Sequence, residues 1–290
     1  MGLAEAIAEF DERFFSEESC VQFLSKMKWP DGFYCPRCHH QNYYLIDTRN
    51  APLYECRSCR HQTTLTAGTI MDKSRTSARK WLLTIYFLTR SDCIINARWL
   101  SGFFDITYKT AWSMLHKIRH AISEHDLKQL FMGDAKAAVV KYGRPYPLQK
   151  EEQLVMAAIS STDSCPAYFK FKVIPDSLLS GRRLTFFGER QLKQTYMPDY
   201  RAHSFIIHQL FRIGDTKHVR QIFWKAAHWL NLAFGGIGKK YLNVYLDEYA
   251  YRMNYANEPT ILERLSSICM NTFKVLLFSK KSSTGVFAAA

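Results

Sequence analysis

An α+β chain of several modules is predicted by three observations. Two Cys-x-x-Cys motifs stand near the front, a block of helical periodicity follows them, and strand-length apolar runs then give way to helices. The 290 residues leave room for one large domain or two to three smaller ones.

The opening stretch, MGLAEAIAEFDERFFSEESC, carries acids where a secretory leader needs positive charge. It reads as a short amphipathic helix with Ile7, Phe10 and Phe14 near one face. No run of about eighteen apolar residues occurs, so no membrane span is expected. The formal charge is +13 and the pI about 9.3, a balance that attracts polyanions, nucleic acid foremost. Charge by itself also fits a merely soluble basic protein, because it speaks to association and not to fold.

Cys35 and Cys38 enclose two residues, as do Cys56 and Cys59, and seventeen residues separate the pairs. Each knuckle aims two sulfurs at one point, and two knuckles complete a tetrahedron of thiolates around zinc. Pro36 pre-sets the first turn, and Arg37, Arg57 and Arg60 favour the thiolate form that binds metal. Paired disulfides are the alternative, and they suit an exported chain better than this one. NYYLIDTRNAPLYEC between the knuckles offers two short strands around TRNAP, the layout of a zinc ribbon. His39, His40 and His61 read as polar surface, since four cysteines already close the site. Cys20, Cys93, Cys165 and Cys269 lack such spacing and read as small core residues.

RKWLLTIYFLTR, 79–90, is apolar with a period near 3.6. Ala97 and Leu100 mark a short helix that Ser101-Gly102 should stop. A second helix begins at Thr107 as N-cap, with Ala111, Leu115, Ile118 and Ile122 as its buried stripe. Two helices joined by a tight turn fit a helix-turn-helix. Tyr108, Lys109 and Thr110 would then meet base edges, and Lys117 and Arg119 would meet phosphates. A plain helical hairpin has the same pattern.

Beyond 135, AKAAVVKYG, EQLVMAAISS, AYFKFKVIP, RRLTFFG and HSFIIHQL have strand length, and helices are expected over 217–234 and 239–256. The KKSSTGVFAAA end reads as disordered.

CPRC…YECRSCRHQTTLTAGTIMDKSRTSARKWLLTIYFLT resembles the front of bacterial insertion-sequence transposases that join a zinc ribbon to a DDE catalytic domain, relatives of the Merlin elements. The TAGT turn at 66–69, Lys80-Trp81, TYKTAWSMLHKIRHAI, HSFIIHQL and YLDEYAYRMN carry the likeness over most of 20–257. The resemblance implies a ribbon at 31–66 behind a helical segment at 1–30, and a helix-turn-helix region at 67–130. It implies an RNase H-like mixed sheet with flanking helices at 131–260, followed by a C-terminal extension at 261–290. It also implies a double-stranded DNA partner, a homo-oligomer acting on paired ends, and a cytoplasmic site, with the nucleoid if the host is bacterial.

The family's chemistry needs two carboxylates and a third acid or amide around magnesium ions about 4 Å apart. The matching positions hold Ala138, Phe187 and Gln221, and a basic position common in the family holds His228. Asp134 falls too early and Glu189 two places late. Alanine and phenylalanine offer magnesium no oxygen, and one neutral glutamine cannot hold two dications. Three readings follow: a DNA-binding protein of transposase descent with a decayed metal centre, an active magnesium-dependent transposase whose acids lie elsewhere, and a protein-binding ribbon adaptor. Zinc belongs to all three, and magnesium only to the second.

Overall fold

A computed structural model describes residues 3–46, 52–90, 92–143, 152–162, 165–198, 204–210 and 216–272. The expected disorder of the C-terminal end, and Glu151, Asp163, Asp199 and Asp215, lie outside the described residues.

The front half is helical around a small sheet. Helices α1 (Leu3–Arg13) and α2 (Glu17–Lys28) precede strands β1 (Tyr43–Ile46), β2 (Leu53–Cys56) and β3 (Gln62–Thr64), which form an antiparallel sheet in that order. Then come α3 (Ala78–Thr89), α4 (Ala97–Phe104) and α5 (Tyr108–Lys128). One apolar core runs through all of these: Phe10, Phe14, Leu24, Trp81, Phe87 and Ile118 are buried in it. The α5 start at the Thr107 cap and its stripe of Ala111, Leu115, Ile118 and Ile122 are as expected.

The α4 stop is not. This helix runs through Ser101-Gly102 to Phe104 and ends on Asp105 in the left-handed region at φ 50°. A mid-helix glycine costs only about 1 kcal/mol. Burial of Phe104 and the stacking of Phe103 on Trp99, centroids 4.8 Å apart, outweigh that.

The second half is a four-stranded sheet. Strands β4 (Asp134–Tyr142), β5 (Gln153–Thr162) and β6 (Cys165–Val173) form an antiparallel meander. A short ribbon of β7 (Leu179–Ser180) and β8 (Arg183–Leu184) leads into α6 (Phe186–Tyr196). Then β9 (Phe205–His208) lies parallel to β4, giving the order β6-β5-β4-β9. Helices α7 (Lys217–Phe234) and α8 (Lys239–Asn254) cover one face and α6 the other, with separate apolar cores. RRLTFFG is therefore not a strand of the central sheet: two of its residues pair with β7, and Thr185 caps α6. Gly188 is there for contact, since a Cβ would come within 2.5 Å of the Leu178 carbonyl.

Past residue 260, α9 (Ile261–Asn271) is no appendage. Leu262, Leu265, Cys269 and Met270 return to the helical core of the front half.

The two halves meet along α5 and α8. Asp126 at the end of α5 accepts from Lys170 (2.8 Å) and Lys172 (2.7 Å) of β6, and Lys172 also reaches Asp247 of α8 at 2.6 Å. All four groups are buried. Burial by itself would raise the Asp126 carboxyl, but Lys172 and Lys170 outweigh it and hold the group below the carboxylate range. Burial pushes Lys170 down to about 8, against the pull of Asp126. Asp126→Asn would leave the buried Lys170 with no carboxylate and Lys172 with Asp247 alone, and we expect a loss of about 3–5 kcal/mol in urea denaturation. Asp126→Leu combined with Lys170→Met, which leaves the Lys172–Asp247 pair in place, should recover most of that loss.

His116 sits in the same seam against Tyr241 and Tyr245. Burial first, then Arg119 and His120, push it from 6.5 down to about 3. The unfolded chain thus takes up this proton before the folded one does. Stability that is complete above about pH 6.5 should fall with acid down to about pH 3, by up to roughly 1.4 kcal/mol per pH unit. Thermal melts of His116→Phe against the parent across that range should lack this component.

Candidate metal and nucleic-acid sites

The knuckles fold alike because their backbones close alike. The His39 amide donates to the Cys35 carbonyl and the Arg60 amide to that of Cys56, at 2.9 and 3.1 Å. The residue after each second cysteine, His39 and Arg60, turns into the left-handed region at φ 59° and 58°. The Cys35–Cys59 and Cys38–Cys56 sulfur pairs are each 3.6 Å apart, and all four sulfurs lie within 4.8 Å of one another. A zinc ion with Zn–S bonds near 2.3 Å needs sulfurs about 3.8 Å apart, so the cradle fits it. Among the described residues no other group of three or more His, Cys, Asp or Glu converges this way. Cys20, Cys93 and Cys269 are buried core residues, as expected.

An open groove of about 820 Å³ lies between the start of α3 and the start of α5. Lys73, Arg75, Lys80, Lys109 and Lys117 line it against a single acid, Asp105. Ser74, Ser77, Thr107 and Thr110 add hydroxyls. Trp81 lies at its wall, with the Lys117 ammonium 5.9 Å from the ring centroid. Lys80 is anchored by donating to the Phe104 carbonyl at 2.8 Å. Such a surface suits phosphates, which want several cations and hydroxyls along one track.

The five residues expected to touch DNA separate here. Lys109, Thr110 and Lys117 line the groove. Tyr108 is 58% exposed but lies on the other side of α5, in a cleft with Arg98, Trp112 and Phe234. Arg119 is a correction: it is 1% exposed, donates to Glu248 at 2.6 Å and lies 4.0 Å from the Tyr245 ring centroid. The step from Ile118 turns it toward α8, where a buried carboxylate compensates it, so it meets no phosphate. Lys73, Arg75 and Ser77 were missed. Their signal was legible, a basic run KSRTSARK with an N-cap serine inside it, and only the fold brings that run beside α5.

The acids weighed for catalysis are engaged elsewhere. Asp134 is the first residue of β4 and accepts from the Ser204 amide at 2.8 Å. Glu189 pairs with Lys193 at 2.7 Å. Asp247 and Glu248 are held by Lys172, Arg119 and Arg252. Phe187 is 67% exposed on α6, away from the central strands. The residue beside Ala138 in the parallel pair is His208.

Residues 15–62 match the family model described as the transposase zinc-ribbon domain. The front of this chain is similar to transposase zinc ribbons. It is also 28% identical over 110 residues to an uncharacterized protein in transposable element ISH50 of Halobacterium salinarum. That match covers 38% of this chain and 37% of the relative's length. No solved structure matches. No helix among the described residues is long and apolar enough to cross a membrane. The ribbon match and the relative in a transposable element support transposase descent for the matched part of the chain.

Zinc content of the purified chain should be close to one ion per molecule by metal analysis. Cys56→Ser should abolish it and open residues 31–66 to protease, because a ribbon this small draws its stability from the metal. A Cys56→Ser chain that keeps a full zinc would overturn the ligand set.

Proposed function

We propose that this chain is a double-stranded DNA-binding protein of transposase descent, with a helix-turn-helix at α4–α5 and an RNase H-like sheet domain that no longer holds paired divalent ions. The observation that carries DNA binding is the groove: five cations face one acid where two helices begin, directly behind a ribbon similar to those of transposases. In this reading α5 presents Lys109 and Thr110 from its first turn, while Lys73, Arg75 and Lys117 track the backbone.

The order β6-β5-β4-β9, an antiparallel meander with the next strand parallel to its first, supports the RNase H-like reading. The residues at its centre do not fit magnesium. Ala138 is fully buried, His208 is its cross-strand neighbour, and Gln221 is an exposed amide on α7. A methyl, an imidazole and a carboxamide lack the hard anionic oxygens this cation requires. Strand transfer in this family runs on those oxygens. The protein would occupy DNA without cutting it.

Duplex binding measured by fluorescence anisotropy should weaken steeply with salt, with log K against log salt falling by about 0.9 for each phosphate neutralised. Lys109→Gln and Lys117→Gln should each lower that slope by about one. A flat salt response would favour a ribbon that binds protein instead. Supercoiled plasmid with Mg²⁺ or Mn²⁺ should stay unnicked, and nicking lost on mutating Asp134 or Glu189 would defeat the decayed-centre reading.

A further inference from the structure

The rings along the seam between α5 and α8 follow one register. The two helices run side by side in the same direction: Trp112 meets Tyr241 with ring centroids 5.8 Å apart, His116 meets Tyr245 at 5.5 Å, and Arg119 meets Glu248. The last two pairs are each 129 positions apart. The same offset puts residue 237 opposite Tyr108, and there α8 has not begun. Residue 237 is an isoleucine between Gly235-Gly236 and Gly238. Gly235 and Gly236 turn at φ 66° and 87°, where glycine is favoured, and bring no side chain to this spot. The α5 row therefore leaves the core step by step. His116 is buried, Trp112 is half-buried, and Tyr108 is 58% exposed and makes no ring pair among the described residues.

The result is an open cleft of about 370 Å³ lined by Arg98, Tyr108, Trp112, Phe234, Ile237 and Tyr245. No acid is among the described residues that line it. Its two sides are tied together, because the Asn96 amide before α4 donates to the Ala233 carbonyl of α7. Phe234 and Tyr245 already have a cation, Arg119, at 5.3 and 4.0 Å from their ring centroids. An ammonium guest would add a second positive charge beside it. A flat neutral ring carries no such cost and stacks on Tyr108 and Trp112. Arg98 is exposed and makes no ion pair among the described residues, so it is available to a phosphate. Aromatic faces for bases and a cation for the backbone are what grip a single strand. A base inside a duplex has both faces covered by its neighbours, so only an unpaired one can enter.

We propose that this cleft takes one unpaired nucleobase of bound DNA, stacked on Tyr108 and Trp112 with its phosphate at Arg98. This rests on the DNA-binding reading above and adds to it a second site with its own ligand. Lys109 and Thr110, next to Tyr108 in the chain, line the basic groove on the other side of α5. Groove and cleft are thus separated by the width of one helix, about 10 Å. A duplex held in the groove has its unpaired strand within reach of the cleft.

The test uses the zinc-loaded full chain with a blunt duplex and with the same duplex carrying a short 5′ or 3′ overhang that contains 2-aminopurine. One of the overhang probes should bind about tenfold more tightly than the blunt one, the effect of stacking one base on an aromatic side chain. Its 2-aminopurine fluorescence should be quenched on binding. Tyr108→Ala should bring the ratio of overhang to blunt affinity to about one, whereas Tyr108→Phe, which keeps the ring, should preserve it. Arg98→Gln should lower the ratio in part. Tyr108 is exposed, so these changes leave the core intact. Equal affinity of the parent for all the probes, or a ratio that survives Tyr108→Ala, overturns the proposal. Competition by a proline-rich peptide without any preference for an overhang would reassign the cleft to protein binding and overturns it too. A parent that binds no duplex at all sinks the proposed function. The cleft is then judged on a single-stranded 2-aminopurine oligonucleotide, which the parent should quench and Tyr108→Ala should not; no quenching by the parent overturns the cleft as well.

Discussion

The ion cluster of Asp126, Lys170, Lys172 and Asp247 is the constraint on which the arrangement of this protein depends. It joins the last turn of α5, the edge strand β6 and the helix α8 at one buried point. Burying four charges is costly, and the cost is offset only when each finds its partners in good geometry. Here they do: Ser123 donates to Asp247, Tyr168 donates to Asp126, and Lys170 also donates to the Asp126 carbonyl. Such a cluster tolerates little sliding, so the direction of α5 is set by the sheet. That same helix begins 18 residues earlier at the basic groove. Whatever α5 touches at its start is thus held rigidly to the strands at its end.

The four-cysteine cradle is the matching feature at the front. The ribbon sheet has three short strands, and its β1 leaves Tyr44 and Leu45 exposed. Its apolar content is the stack of Trp29, Phe33, Tyr43 and Tyr54. A sheet of this size with that small a core needs a further tie, and a metal held by the four converging sulfurs would supply one. Lys28, at the end of α2, donates to the carbonyls of Thr64, Leu65 and Ala67 and so ties the ribbon to the helices behind it. Burial pushes that lysine down to about 8, a sign of how fully it is committed to the backbone rather than to water.

The centre of the large sheet has a different character. Where the likeness to transposases leads one to expect acids, the strand pair is closed by a methyl group, an imidazole and a guanidinium hydrogen-bonded to two carbonyls. The described acids nearby serve elsewhere, as strand-end acceptors or as members of the buried clusters. At this end of the strand pair the described contacts are those of packing and of hydrogen bonding, the latter from Arg220. The basic groove lies on the helical half of the chain, away from this strand pair.

Sequence alone determined whatever depends on near neighbours in the chain. The zinc knuckles, the Thr107 cap and its apolar stripe, the strands β4 to β6 and the bounds of α7 are set by spacing, capping and periodicity over a few residues, and these were legible. Tertiary structure decided what depends on which surfaces meet. Gly102 stays helical because Phe103 and Phe104 find partners, Arg119 is withdrawn because Glu248 is waiting for it, and α9 returns to the front core. Phe187 and His208 exchange places beside Ala138 for the same reason: adjacency in a sheet is fixed by strand order, and a parallel crossover joins residues about seventy positions apart that no local pattern can pair.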